Sequence, residues 1–174
     1  MKSRTEQILV IMNILSWITF IGLMVKAGAI LISYGVSVGN PEGAKNLYMG
    51  LNLYSLKQFD FWHYTATVLM LIALEVLKAY IAYLVIRVLS KIKMANPFKI
   101  EVSRVLERIS YFILVLWIMT LLYNAHIKWL SKSVPGLREN LVSAEFLLFA
   151  GVVFVFSQIF KKGVELQSEN ELTV

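Results

Sequence analysis

Glu75 and Lys78 stand three residues apart in the stretch LEVLKAY, residues 74–80, inside an apolar run from Phe61 to Ile86. A three-residue step is nearly one helical turn, so the carboxylate and the ammonium face almost the same side of a helix formed there. An isolated ion in hydrocarbon costs at least ~2.5–3.5 kcal/mol, whereas a paired one can share a proton or a hydrogen bond. The intramembrane polar pair Glu75 and Lys78 can therefore act as glue between helices, as a proton or ion relay, or as a site for a polar ligand. Counting ~1.5 Å per residue from Phe61 puts Glu75 roughly 21 Å from one boundary and Lys78 about one turn deeper. The same count from Ile8 puts Lys26 ~27 Å along the first apolar run, at the headgroups, where its stem can snorkel. On that count Lys26 is too far away to join the pair.

Two histidines, His63 and His126, begin and end apolar runs at similar depth. Facing each other they could ligate a haem, or with Asp60 a metal. Neither sits in a recurring haem spacing, so they are read as interface residues, with no metal and no cofactor expected. A Ser-His-Asp order, a glycine-rich phosphate loop and a zinc-binding HExxH are all missing from the sequence, so it gives no support to an enzyme.

The elements that must position these residues follow from composition. Of 174 residues, 58% are hydrophobic and 16% charged, well beyond the roughly 45–50% apolar content of soluble domains. Four apolar runs stand out, at about residues 8–34, 61–86, 105–127 and 144–160. Each is near or above the ~17–25 residues a helix needs to cross ~30 Å of hydrocarbon. The expected fold is all-α, a single four-span membrane domain over residues 1–174, arranged as a four-helix transmembrane bundle with the lipid bilayer as its surroundings. The first run exceeds the ~7–15 residues of a secretory signal core and is expected to be a retained helix.

The net charge of +6 is mostly a topology signal rather than a nucleic-acid patch. Ten basic residues (Lys2, Arg4, Arg87, Lys91, Lys93, Lys99, Arg104, Arg108, Lys161 and Lys162) fall on one side of the runs, and five (Lys45, Lys57, Lys128, Lys132 and Arg138) on the other. The positive-inside rule then puts both termini and the connection between the second and third runs in the cytoplasm of a bacterium, with the chain multi-pass in the inner membrane. Trp62, Tyr64, Tyr123 and Trp129 fall near the outer boundary and read as interfacial anchors. Between the first two runs, Gly39-Asn40-Pro41 signals a turn. Leu47, Leu51 and Tyr54 after it fit either a short amphipathic segment on the surface or a loop packed over the helices.

On the inner side, Asn96 and Pro97 fit a helix cap and first turn. Phe98, Val102, Val105 and Ile109 then recur at helical steps, with Arg104 and Arg108 on other faces, predicting a short cytoplasmic amphipathic helix leading into the third span. Lys161 and Lys162 suit a helix end and Gly163 the left-handed residue after it, leaving a tail with Glu165, Glu169 and Glu171 that closes on Leu172, Thr173 and Val174.

NPF at residues 96–98, the basic amphipathic stretch into the third run, and the closing GVELQSENELTV at 163–174 resemble the bacterial membrane family known as domain of unknown function 2975. The resemblance implies four spans with both ends inside, carries over no activity, and implies frequent encoding beside a small helix-turn-helix regulator. The resulting expectation is a non-catalytic membrane protein whose cytoplasmic surface, Asn96, Pro97, Phe98, Arg104, Arg108, Glu165, Glu169, Glu171, Leu172 and Val174, holds a protein partner such as that regulator. Direct contact with nucleic acid is not expected; a homo-oligomer or a larger membrane complex is compatible. The alternatives are a small transporter or channel component with Glu75 as its titrating site, and a structural subunit of a membrane complex.

Overall fold

The computed structural model describes residues 4–92 and 99–171, the last two by backbone alone. Asn96, Pro97, Phe98, Leu172 and Val174 lie outside the described residues, as does the side chain of Glu171. The described chain is all-α: α1 (Arg4–Gly39), a 3₁₀ turn (Pro41–Lys45), α2 (Tyr54–Phe59), α3 (Phe61–Lys91), α4 (Ile100–Ser133) and α5 (Leu147–Glu171). The four long helices, α1, α3, α4 and α5, are each long and apolar enough to cross a membrane. Along α1, Ile18, Val25 and Ile32 are among many exposed large apolar side chains. An apolar surface of that extent is suited to lipid or a partner rather than to water.

Contacts cluster into two compact units, to which α1, α3 and α4 each contribute one part. Among the described residues the first comprises 4–20, 79–92, 99–115 and 145–171. Its core joins Leu84 and Val88 of α3 to Val102, Val105, Ile109 and Ile113 of α4 and Ala150 of α5. The apolar steps at 102, 105 and 109 thus bury one face, while Arg104 and Arg108 stay exposed. They form no separate helix: residues 100–108 are the first turns of α4 itself. An ion pair from Lys91 to Glu101 joins the end of α3 to the start of α4. The Ser103 hydroxyl donates to Ser157 O at 2.9 Å and holds α5 alongside α4.

α5 departs from expectation at both ends. It begins at Leu147 rather than Ala144 and runs through Gly163 to Glu171, so residues 161–163 do not terminate it. A mid-helix glycine costs roughly 0.5–1 kcal/mol relative to alanine, too little to break a helix that stays paired. Across that glycine Lys162 pairs with Glu165 at 3.0 Å, while Val164 and Gln167 stay partly covered. Fourteen residues of α5 follow Ser157, while three of α4 precede Ser103. The antiparallel α5 therefore runs past the start of α4 by about eleven residues, ~16 Å at 1.5 Å per residue.

The second unit comprises residues 21–78 and 116–144. Its connection from α1 to α3 is folded inward: Ala44, Leu47, Leu53 and Leu56 are buried, which selects the packed loop over a segment lying on a surface. Asn40 caps the 3₁₀ turn by accepting from Glu42 N, with Pro41 next in line. Gly50 turns the chain with a φ of +88°, a conformation in which a side chain is strained. Tyr64 and Tyr123 are wholly buried, against the expectation that they anchor at a boundary. Tyr64 OH shares a 2.5 Å hydrogen bond with the Ser37 hydroxyl, and Tyr123 OH donates to Asn140 O at 3.2 Å. A phenol can satisfy its oxygen within protein as well as at a headgroup, and position in sequence does not reveal which. Trp62 and Trp129 are exposed, as anchors require.

After α4 stops at Ser133, Pro135 and Gly136, with φ of +78°, turn the chain back. Residues 137–144 are non-helical and run along α4. Asn124 holds them: its amide donates to Val142 O at 2.7 Å and accepts from Val142 N at 2.9 Å.

Candidate functional site

The deepest ionic cluster among the described residues sits in the second unit, where α1 lies against α3. Lys26 Nζ donates to Glu75 Oε1 at 2.8 Å, and Lys78 Nζ donates to the same oxygen at 3.2 Å. Glu75 is 4% exposed. The pair seen in the sequence is therefore a trio, and the expectation that Lys26 lies too far away is corrected. The error came from measuring the two helices from opposite ends. Lys26 lies thirteen residues before Gly39 and Glu75 fourteen after Phe61, so from the ends that the connection joins both are ~20 Å deep at 1.5 Å per residue. The first apolar run ends at Tyr34, but α1 continues five residues farther.

The seam that positions the trio is layered. On α1 the residues facing α3 recur at helical steps as Lys26, Ile30, Tyr34 and Ser37; Ile30 and Ser37 are buried. On α3 the matching series is Glu75, Leu71, Val68 and Tyr64, all buried. Toward the connection lies a hydroxyl layer: Tyr34 OH and Thr65 Oγ1 are 3.0 Å apart, Ser37 meets Tyr64, and the Lys57 ammonium donates to Ser37 O. Between hydroxyls and ions lie Ile30, Val68 and Leu71, all buried.

The trio is electrostatically unbalanced. Two ammonium groups share one carboxylate, for a sum of +1 with all three ionised. Both bonds fall on Oε1; Oε2 is buried without a hydrogen-bond partner, an arrangement that costs about 1–3 kcal/mol. Removing the carboxylate would leave two ammonium groups uncompensated, and breaking a buried ionic set in that way costs about 3–5 kcal/mol. These charges therefore bind α1 to α3, and the surplus cation is chemistry left over from that task.

The histidines do meet. His63 and His126 have ring centroids 5.7 Å apart, with Trp129 5.3 Å from His63. Asp60 does not complete a metal set: its carboxylate accepts from His63 N at 2.7 Å and caps the start of α3. No group of three His, Cys, Asp or Glu side chains able to hold a metal occurs among the described residues.

In the first unit, Arg104, Arg108, Glu165 and Glu169 are all exposed. Glu165 pairs with Lys162 on its own helix rather than reaching the arginines of α4. Above them α4 and α5 border an open groove of about 910 Å³, lined by Tyr111, Leu114, Leu148, Val155 and Ile159 among others. Its lining is apolar apart from the hydroxyls of Ser110 and Tyr111 and carries no charged side chain.

Sequence reasoning missed Lys26 and Asn124. The signal for Asn124 was present, since a carboxamide inside the third apolar run must find partners. The signal for Lys26 needed the true length of α1.

Compared with known proteins, residues 8–174 match the family described as Protein of unknown function (DUF2975). No curated protein and no solved structure matches the chain.

Proposed function

The chain belongs to the DUF2975 family, and from that premise we propose that it is a non-catalytic, multi-pass protein of a bacterial inner membrane that holds a cytoplasmic protein partner. The four long helices form its spanning bundle, with both termini on the basic, cytoplasmic side. The observation that carries the reading is the length of α5, which continues as helix to Glu171 beyond its anchor at Ser157. That projection presents Glu165, Leu166 and Glu169 as exposed side chains, and Arg104 and Arg108 are exposed on α4. A helical prong with an acidic face and an exposed leucine suits a small basic partner, and a helix-turn-helix regulator has such chemistry on its DNA-reading face. Holding that face at the membrane would keep the regulator off DNA.

The test uses the full chain co-expressed with a helix-turn-helix protein where its neighbouring gene encodes one. The regulator should co-purify with the membrane and its reporter should go silent; deletion of residues 163–174 should release it and restore transcription. Retention unchanged by the deletion removes α5 from the role, and a neighbouring gene of another kind removes the regulator.

The trio favours a second reading, a small transporter or channel component with Glu75 as its titrating site. It requires pH-dependent solute flux in vesicles that Glu75→Gln abolishes while the protein still folds.

A further inference from the structure

The geometry points to an anion-binding site at Lys26 and Lys78, taking a small monovalent anion such as a carboxylate or a halide. Three observations converge on this. With all three groups ionised the trio sums to +1, so one monovalent anion balances it. Each ammonium has three N–H groups and spends one on Glu75 Oε1; neither has another partner among the described residues. Burial is also divided by sign. The Glu75 side chain is 5% exposed, whereas those of Lys26 and Lys78 are 39% and 24% exposed. An arriving solute therefore meets the cationic part of the cluster and is kept from the anionic part, and an uncompensated cation in hydrocarbon is the state most in need of it.

This inference shares its site with the transport reading and names that reading's substrate class, but it concerns binding alone. Anion binding without flux in vesicles would keep it and remove transport.

The test is thermal unfolding of the full chain in detergent, with chloride, formate or dodecanoate titrated against bulky gluconate at constant ionic strength and pH. A ligand that binds the folded state alone raises Tm with the logarithm of its concentration, by about 2–4 °C at several times Kd for a chain of this size. The wild type and Lys26→Arg should show the rise. Lys26→Gln, which leaves a balanced Glu75–Lys78 pair and should fold, should lose it, as should Lys78→Gln. Glu75→Gln, which removes the competing carboxylate, should reach half its shift at lower anion concentration. A response to dodecanoate alone would assign the anion to an amphiphile, and a response to chloride or formate to a free ion. No anion-dependent shift in the wild type, or the same shift in Lys26→Gln, overturns the site.

Discussion

Asn124 grips Val142 with both ends of its carboxamide, donating to its carbonyl at 2.7 Å and accepting from its N–H at 2.9 Å. The side chain thereby does for one residue what a neighbouring strand would do. Asn124 lies nine residues inside the end of α4, so the extended chain it holds reaches ~14 Å along the helix at 1.5 Å per residue. In a chain that crosses a membrane, non-helical backbone beside a spanning helix is tolerated where protein supplies its hydrogen bonds.

Replacing Asn124 by Ala strands the N–H and the carbonyl of Val142 together. The expected loss is about 2–6 kcal/mol, one unmet group after the other at about 1–3 each. Thermal unfolding in detergent measures it, and a variant within about 0.5 kcal/mol of wild type would show that Asn124 does not hold the segment.

The contact between Lys26 and Glu75 can be trapped covalently. A membrane-permeant carbodiimide activates a carboxyl, and an amine at hydrogen-bond distance displaces the resulting urea to form an amide. Mass spectrometry of the digested protein should find Lys26 or Lys78 joined to Glu75 with loss of one water, and Glu75→Gln should abolish the product. If the lysine peptides remain free after complete reaction of the carboxyl, the trio is not formed in the membrane.

Gly163 separates two accounts of α5 by the sign of one substitution. In mid-helix, Gly163→Ala should stabilise by about 0.5–1 kcal/mol, because alanine loses less backbone entropy. At a left-handed helix end the same change would destabilise. A raised melting temperature with unchanged or greater helical circular dichroism supports the continuous helix; a lowered one would restore a helix end at this glycine.

At the 3₁₀ turn, the hydrogen bond from the Lys45 side chain holds the Glu42 carboxyl below its usual range and raises the Lys45 ammonium above its own. The signs are opposite. Stability from Glu42 is present above its unfolded pKa and is lost as pH falls through the lower folded value; that from Lys45 is present below its unfolded pKa and is lost as pH rises through the higher folded one. The pair is thus complete across the neutral range. A carboxyl NMR titration should find Glu42 displaced downward in the wild type and back near its usual value in Lys45→Gln.

Much of the architecture was legible because a long apolar run constrains the chain one helix at a time. Four runs of that length are long and apolar enough to cross a membrane as helices, in which the backbone satisfies itself within the segment, and 102, 105 and 109 had to share a face once helical. The connection and the tail were less legible. Buried Leu47 and exposed Met49 look alike in a loop, and Lys161-Lys162-Gly163 reads equally well as a stop or as three helical residues.

What the sequence determined by itself is what each helix fixes locally: existence, approximate span, and the one-turn spacing of Glu75 and Lys78. What the tertiary structure decided is which residues meet across helices. Lys26 reaches Glu75 because α1 runs on to Gly39 and the connection sets the register of α1 against α3, a quantity absent from either helix alone. Tyr64 finds Ser37, and Asn124 finds Val142, for the same reason: a polar group in an apolar run announces that it needs a partner, but only the fold brings one within hydrogen-bond distance.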